Sequence, residues 1–201
     1  MMTVLAVVAL VLGLARLVMF VALHLVHSDY NIVEHAVSDY AVGRTRTLST
    51  VMTWATAAFW AMLALATLLA IPDWKDVGGV VTCLLALTVI FIGLPFLPTD
   101  VEGSQATTIG RLHMLAAIAW FALSYACMGS FVRLFQEEAP HPWGLTLVIL
   151  SRVALVSLVA LVVVLVVRPA RRYAFGLAER VFILSVTLFY ITVSLAILIT
   201  S

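Results

Sequence analysis

Six long apolar segments run through the chain, and each is long enough to cross a bilayer as a helix. A transmembrane helix needs about 20 mostly apolar residues, because each residue advances it by about 1.5 Å. The segments are approximately 3–26, 48–71, 77–97, 112–132, 143–167 and 177–199. Segments of this length satisfy their backbone hydrogen bonds in lipid as helices, not as a barrel of short alternating strands. The sequence therefore predicts an all-α membrane protein, a bundle of six transmembrane helices.

The apolar segments leave no room for a soluble domain. Hydrophobic residues occupy 64% of the 201 positions and charged residues only 10%, whereas a typical soluble domain has about 25% charged residues. We predict a single integral membrane domain over residues 1–201. No basic residue precedes the first apolar segment, so we interpret that segment as a retained helix and not as a cleaved signal. The expected partner is the lipid bilayer, and we expect no nucleic-acid partner.

Arginine is concentrated in the loops after the first, third and fifth segments, which we call the odd loops. These loops contain Arg44, Arg46, Arg111, Arg168, Arg171 and Arg172. The opposite face carries only Lys75 and Arg133. Because cytoplasmic loops hold an excess of Lys and Arg, we predict a multi-pass protein of the cell inner membrane. Its odd loops are expected in the cytoplasm and both termini outside.

The first odd loop, residues 27–47, is predicted to contain a short helix between the first two segments. Apolar residues recur at helical spacing on one side and polar residues on the other. The apolar set is Ile32, Val33, Ala36, Val37 and Tyr40, and the polar set is Asn31, Glu34, His35 and Ser38. Gly43 can end this helix. The helix is either interfacial, with its polar side in water, or re-entrant, with the polar side and Asp39 lining a cavity.

The third segment is predicted to break before Asp100. Gly93, Pro95 and Pro98 lie at its end, and proline removes a backbone donor from a helix. Such a break persists at membrane depth only where protein or trapped water satisfies the freed groups. We therefore expect Asp100 at the mouth of a helix, near His113 at the start of the fourth segment.

Four charged residues fall inside the apolar segments. Arg16 and Arg152 lie about midway along theirs, where an arginine costs roughly 2.5 to 3.5 kcal/mol on insertion scales. We therefore expect both to face the interior of the bundle. There they either tie helices together through carbonyl and hydroxyl groups or bind an anionic group. Glu179 and Arg180, at the start of the sixth segment, are candidates for an internal ion pair.

Three histidines offer an alternative in which a metal is bound. His24 and His27 are spaced so that both can reach one ion, and His113 can approach them from the fourth segment. No HExxH, HxxEH or paired-cysteine motif accompanies them in the sequence. We therefore predict no metal site and leave the cofactor open. A glycine-rich phosphate loop and a GxSxG nucleophile elbow are also missing from the sequence, so nucleotide binding and ordinary serine hydrolysis are not supported.

Short motifs of the odd loops are similar to those of a known family. The motifs are residues 35–43 (HAVSDYAVG), 93–100 (GLPFLPTD), 111–113 (RLH) and 176–180 (GLAER). On these motifs the chain resembles the domain-of-unknown-function 998 family over nearly its whole length. The resemblance implies a polytopic bacterial or archaeal membrane protein with six helices and the motif loops on one side. Glu179 stands where the family more often has glutamine, and the family implies no established activity.

These residues support three hypotheses. The first is a membrane-embedded enzyme acting on a lipid-like small molecule, with a lipid or isoprenoid-type head group. Its predicted catalytic residues are Asp39, Asp100, His113 and Glu179, and its predicted substrate-binding residues are Arg16, Arg152, Arg180, Ser38 and His35. The second is a small transporter or proton-coupled permease, which intramembrane ionisable residues suit equally well. The third is a membrane scaffold or assembly partner, in which the charges only join helices.

Overall fold

The computed structural model describes residues 1–26, 30–100, 105–138 and 142–200, and within them the chain forms six α-helices. They are α1 (Met2–Leu25), α2 (Arg46–Ala70), α3 (Val77–Gly93), α4 (Thr108–Arg133), α5 (Gly144–Val166) and α6 (Arg168–Thr200). All six include a stretch long and apolar enough to cross a membrane, so the predicted six-helix membrane fold is confirmed. His27 and the side chains of Arg168, Arg171 and Arg172 lie outside the described part.

Helix α6 is the central element of the bundle. It packs against α1, α2, α4 and α5, and 61% of its membrane window is buried, compared with 22% for α3. Tyr190 on α6 packs edge-on against Trp60 of α2, with 4.8 Å between the ring centroids. The Tyr190 hydroxyl donates to the Ser124 carbonyl of α4 at 2.6 Å. Aromatic packing therefore joins three helices around α6.

The first odd loop folds back against α6. The predicted helix is present as two short 3₁₀ helices, Val37–Ala41 and Gly43–Thr45, in place of one amphipathic α-helix. Gly43 lies between them with a φ of 71°, in the left-handed region that favours glycine. Asp39 and Tyr40 are buried. The loop packs into the protein, as in the re-entrant arrangement, but Asp39 does not line a cavity as that arrangement predicted.

The predicted break at the end of α3 is confirmed. The α-helix ends at Gly93 and continues as one 3₁₀ turn, Leu94–Phe96, with Pro95 in that turn. Helix α4 begins at Thr108, four residues before the predicted start of the segment at 112. The extra turn is capped, because the Thr107 hydroxyl accepts from the Gly110 N–H at 3.0 Å.

Arg152 faces away from the bundle, so the prediction that it lies in the interior is wrong. Helix α5 packs inward through Ala154, Ser157 and Leu161, which are spaced by three and four residues. Arg152 lies about 200° around the helix from Ala154, and its side chain is exposed. The energetic cost of an arginine in lipid does not force the Arg152 side chain into the bundle, because a long side chain on the outer face can extend toward the membrane surface.

An ion pair lies on the face opposite the odd loops. Arg133 Nη2 donates to Asp76 Oδ2 at 2.7 Å. The hydrogen bond from Arg133 holds the pKa of the Asp76 carboxyl below its usual value. This pair joins the start of α3 to the end of α4, and its exposed position makes its effect on stability small.

Candidate functional site

A cavity of about 350 Å³ lies beneath the first odd loop, between α1, α2, α3, α4 and α6. Each helix turns one stripe toward it, with residues spaced by three or four positions. The polar and charged residues of the lining are Arg16, Ser38, Arg46, Ser49, Thr50, Thr53, His113 and Glu179. Apolar and aromatic side chains complete the walls. The cavity therefore gathers residues from distant parts of the sequence.

Arg16 lies at the deep end of the cavity and is only 4% exposed. Its Nη1 donates to the Thr187 hydroxyl of α6 at 2.6 Å. The guanidinium carbon lies 6.0 Å from the ring centroids of both Phe91 and Trp120. Within the described ranges, no carboxylate forms an ion pair with Arg16. The structure thus confirms that Arg16 faces inward, where it lies between aromatic rings.

His113 lines the same cavity in a defined orientation. Its Nδ1 is 2.6 Å from the Leu97 carbonyl oxygen. A carbonyl can only accept, so Nδ1 carries the proton and Nε2 of the neutral ring keeps its lone pair. The break after α3 provides this partner, because Leu97 lies beyond the 3₁₀ turn and its carbonyl no longer accepts within a regular helix. His113 is therefore arranged as a proton acceptor.

Glu179 brings a carboxylate to the cavity from α6. It is 7% exposed, and its Oε2 accepts from the Val37 N–H of the first odd loop at 2.6 Å. Its other oxygen has no hydrogen-bond partner among the residues that the structure describes. One oxygen of Glu179 thus holds the loop, and the other is free for a ligand.

These groups form two layers at different depths. We call Arg16, Phe91 and Trp120 the deep layer, and Ser38, His113 and Glu179 the mouth layer. Thr187, the partner of Arg16, lies about two helical turns beyond Glu179, a rise of about 12 Å. Trp120 lies beyond His113 by a similar rise of about 10 Å along α4. The buried cation is therefore about 10 to 12 Å deeper in the membrane than the histidine and the carboxylate.

Three residues predicted to act at the site lie outside the cavity lining and serve local structure. Asp39 Oδ2 accepts from the Ala36 N–H at 3.1 Å and closes the first 3₁₀ turn. His35 Nδ1 is 3.2 Å from the Asn31 N–H. Asp100 caps α4, since its two oxygens accept from the N–H and the hydroxyl of Thr107 at 2.7 and 2.8 Å. Their predicted chemical roles stay predictions.

Asp100→Asn is expected to destabilise the protein by about 1 kcal/mol, as the loss of a helix cap does. The amide offers one acceptor in place of two, so one of the two Thr107 contacts is lost. Unfolding of the purified protein in mixed detergent micelles, followed by tryptophan fluorescence, measures this change. Asp73→Asn is the matched control, because Asp73 has no hydrogen bond within the described residues. Equal stability of the two variants would contradict the capping role.

Arg180 joins α6 to α1 and to the first odd loop. Its Nε donates to His24 Nε2 at 2.7 Å, and its Nη1 donates to the carbonyls of His35 and Gly176 at 2.8 and 2.9 Å. The predicted Glu179–Arg180 ion pair is wrong. Neighbouring residues on a helix project about 100° apart, so Glu179 points into the cavity and Arg180 points to α1. Arg180 does not line the cavity.

The contacts of His24 bear on the metal alternative. His24 Nδ1 is 2.7 Å from the Phe20 carbonyl, and Nε2 accepts from Arg180. Both ring nitrogens are therefore engaged, and neither has a lone pair left for a metal. Across the described ranges, no three His, Cys, Asp or Glu side chains are placed to hold an ion. His113 keeps its free Nε2, but it does not belong to a group of three such side chains within the described residues.

Helix α2 contributes cavity residues that the sequence did not predict as part of a site. Arg46, Ser49, Thr50 and Thr53 all line the cavity, and Arg46 entered the sequence argument only through membrane orientation. The signal was present, because these polar residues recur at helical spacing at the start of an otherwise apolar helix. Thr187, Phe91 and Trp120 could not be found in this way, since their importance depends on which helix faces Arg16.

One comparison with known proteins identifies the family of this chain. No match was found among proteins of curated function or among solved structures. A family model described as "Protein of unknown function (DUF998)" matches residues 3–196. Since the match covers nearly the whole chain, the protein belongs to the DUF998 family of membrane proteins.

Proposed function

We propose that this protein is a membrane-embedded enzyme that transfers a proton on an anionic, lipid-like substrate. The observation that carries the proposal is the meeting of Arg16, His113 and Glu179 around one cavity. A buried cation stabilises negative charge strongly because little water screens it. A histidine with a free lone pair supplies the base and, once protonated, the acid, and a carboxylate on the same cavity can accept a hydrogen bond from the substrate. A scaffold protein would have no need of these groups around an open space.

Each of the three residues has a proposed role. Arg16 neutralises the anionic group of the substrate. His113 Nε2 takes a proton from the substrate, and the Leu97 carbonyl at Nδ1 stabilises the positive ring that results. Glu179 accepts a hydrogen bond from the substrate through its free oxygen, and the protonated His113 returns its proton to the product. The walls limit water, so these groups act in a partly dry site.

Packing beyond the cavity favours an enzyme over a transporter. Trp60, Phe189 and Tyr190 are fully buried and pack together near Thr187, at the level where the cavity ends. A permease needs a second opening on the other side of the membrane, and this aromatic cluster fills the path to it.

We also place the odd-loop face in the cytoplasm, because of its arginines, so the substrate is expected from the inner leaflet.

The test is substrate turnover in liposomes made from the lipid extract of the host membrane. We expect mass spectrometry to show at least one lipid species that the wild-type protein consumes. His113→Gln is expected to lower this rate by about 100-fold or more, as the loss of a general base does. Glu137→Gln is the control, since Glu137 is exposed at the end of α4, away from the odd loops. If no species changes, or if His113→Gln is as active as wild type, the proposal is wrong.

A further inference from the structure

The charge of Arg16 restricts what the cavity can bind. Arg16 is buried near the middle of α1, and its one described hydrogen bond goes to Thr187. A guanidinium has five N–H donors, so most of them have no described acceptor. Leaving charged donors unpaired in a membrane interior is costly. A ligand that brings an anion to the deep layer removes this cost.

The number of charges at this depth indicates a monoanion. Arg16 is the single cationic side chain of the deep layer among the described residues, and Arg46 is at the odd-loop end of α2. One guanidinium balances one negative charge, and its planar fork matches the two oxygens of a carboxylate or of a phosphodiester. A dianionic phosphate monoester would keep one charge unbalanced in a medium of low polarity.

The walls next to Arg16 indicate which kind of group adjoins the anion in the ligand. Phe91 and Trp120 lie next to Arg16, and Phe20 and Ile183 also line the cavity. None of these four side chains accepts a conventional hydrogen bond, and α2 offers only the hydroxyls of Ser49, Thr50 and Thr53, so a sugar with several hydroxyl groups would lose much of its water without compensation. An apolar chain directly after the anion avoids that penalty. Free inorganic anions and sugar phosphates therefore fit poorly.

The mouth layer requires a second polar group at the other end of the ligand. His113 Nε2 and the free oxygen of Glu179 are both acceptors, about 10 to 12 Å from Arg16 along the helices. Ser38 adds a hydroxyl at the same level. A hydroxyl at that distance from the anion would satisfy one of these acceptors, because it has a single proton to donate. The volume of about 350 Å³ is near the lower limit for sites of small molecules, so a single short chain fits and a two-chain lipid does not.

We propose that the cavity binds a single-chain amphiphile with its anionic group first, at Arg16, and with a hydroxyl at the far end, at His113 and Glu179. This inference rests on the proposed function, because the far hydroxyl is the group on which His113 acts. The anion of the ligand therefore lies near the middle of the membrane and not at its surface. Two sources supply this chemistry, a free hydroxy acid and a single-chain phosphodiester lipid.

Calorimetric titration of the full chain in phosphatidylcholine nanodiscs tests the inference. The probes are ω-hydroxyoctanoate, the phosphodiester 8-hydroxyoctyl methyl phosphate and octane-1,8-diol, which has the same chain length and no charge. We expect at least one of the two anions to bind about tenfold or more tightly than the diol, as a charged hydrogen bond of that strength gives. Tighter binding of the acid identifies free hydroxy acids as the source, and tighter binding of the phosphodiester identifies single-chain phosphodiester lipids. Binding of the diol as tight as that of both anions would overturn the inference.

Substitution of Arg16 locates the anion. In Arg16→Gln we expect the preference for anion over diol to disappear, and in Arg111→Gln, with an exposed arginine at the start of α4, we expect it to remain. Arg16→Lys, which keeps the charge, should retain part of the preference if Arg16→Gln does not fold. A preference for the anion that is unchanged in Arg16→Gln would mean that the anion binds elsewhere. A preference that is abolished in Arg16→Lys would mean that it depends on the packing of the arginine and not on its charge. Binding of the acid without turnover would reject the proposed enzyme and leave the ligand assignment standing. Turnover of a species that lacks the anion and the distant hydroxyl would support the proposed enzyme and reject the ligand assignment.

Discussion

Arg180→Gln is expected to destabilise the protein by about 3 kcal/mol, in the range measured when one partner of a buried charged contact is removed. Arg180 is buried and donates to His24, His35 and Gly176. Glutamine is too short to reach all three acceptors. The His24 nitrogen and the His35 carbonyl would lose their donor in a place that water reaches poorly.

The free energy of unfolding in mixed detergent micelles measures this effect. Arg152→Gln is the matched control, because Arg152 is also an arginine of a membrane helix but lies on the exposed face of α5. We expect Arg152→Gln to be as stable as wild type or more stable, since it removes a charge from the lipid-facing surface. A loss of stability as large in Arg152→Gln as in Arg180→Gln would show that any arginine in these helices stabilises the fold, irrespective of its contacts.

Gly176→Ala is expected to destabilise the protein by about 2 kcal/mol, within the range for one carbon inserted into a tightly packed position. A Cβ at Gly176 would collide with the carbonyl oxygens of Ile32 and His35 and with Arg180 Nη1. Two of these atoms are backbone atoms and cannot turn aside. The Gly176 N–H also donates to the Val33 carbonyl at 2.9 Å, so moving the loop away would lose this bond as well.

Gly129→Ala serves as the control for the same substitution in a helix. Gly129 is exposed on α4, and nothing lies within 4 Å of the position that its Cβ would take. Alanine is a better helix former than glycine by roughly 0.5 to 1 kcal/mol, so Gly129→Ala should be slightly more stable than wild type. Limited proteolysis of the first odd loop gives a second measurement, with faster cleavage expected in Gly176→Ala. We expect Gly176→Ala to lower the free energy of unfolding and Gly129→Ala to raise it slightly. A change in the same direction in both variants would contradict a close approach at Gly176.

Sequence patterns predicted the number of helices and the break at the end of α3, whereas α4 and α6 begin at Thr108 and Arg168, four and nine residues before their predicted starts. Apolar segments of sufficient length must become helices in lipid, because no other structure satisfies so much backbone there. The end of α3 at Gly93 and the left-handed Gly43 are explained by the backbone chemistry of glycine and proline alone. These features depend on neighbours in the chain, so they can be inferred without knowledge of the packing.

The site was predicted less completely, and Arg16 and Arg152 show the reason. Both are arginines midway along an apolar segment, and the same argument about cost was applied to both. Arg16 lies inside the bundle because its stripe on α1 faces α6, whereas Arg152 lies opposite the stripe through which α5 packs. The cost of a charge in lipid is the same in each case. Direction depends on which face of a helix meets its neighbours, and uniformly apolar helices give little indication of that face.

Asp100 and Glu179 show a similar difference between two carboxylates. Both lie near helix starts on the odd-loop face, and both were predicted to act in acid–base chemistry. Asp100 accepts two bonds from Thr107 within its own loop, whereas Glu179 reaches Val37 of a distant loop and lines the cavity. Residue type indicated that each can donate or accept a proton. The position of each relative to a cavity is a property of the assembled helices.

The sequence by itself determined the membrane class, the number of helices, the break after α3 and the gathering of polar residues near the odd-loop face. These are consequences of backbone hydrogen bonding in lipid and of residue chemistry along short stretches of chain. Only the tertiary structure decided that Arg16, His113 and Glu179 share one cavity while Asp100, Arg152 and Arg180 do not. The physical reason is that a helix repeats every 3.6 residues, so a shift of one residue turns a side chain by about 100°. Packing against α6 selects which side of each helix turns inward, and no local pattern contains that information.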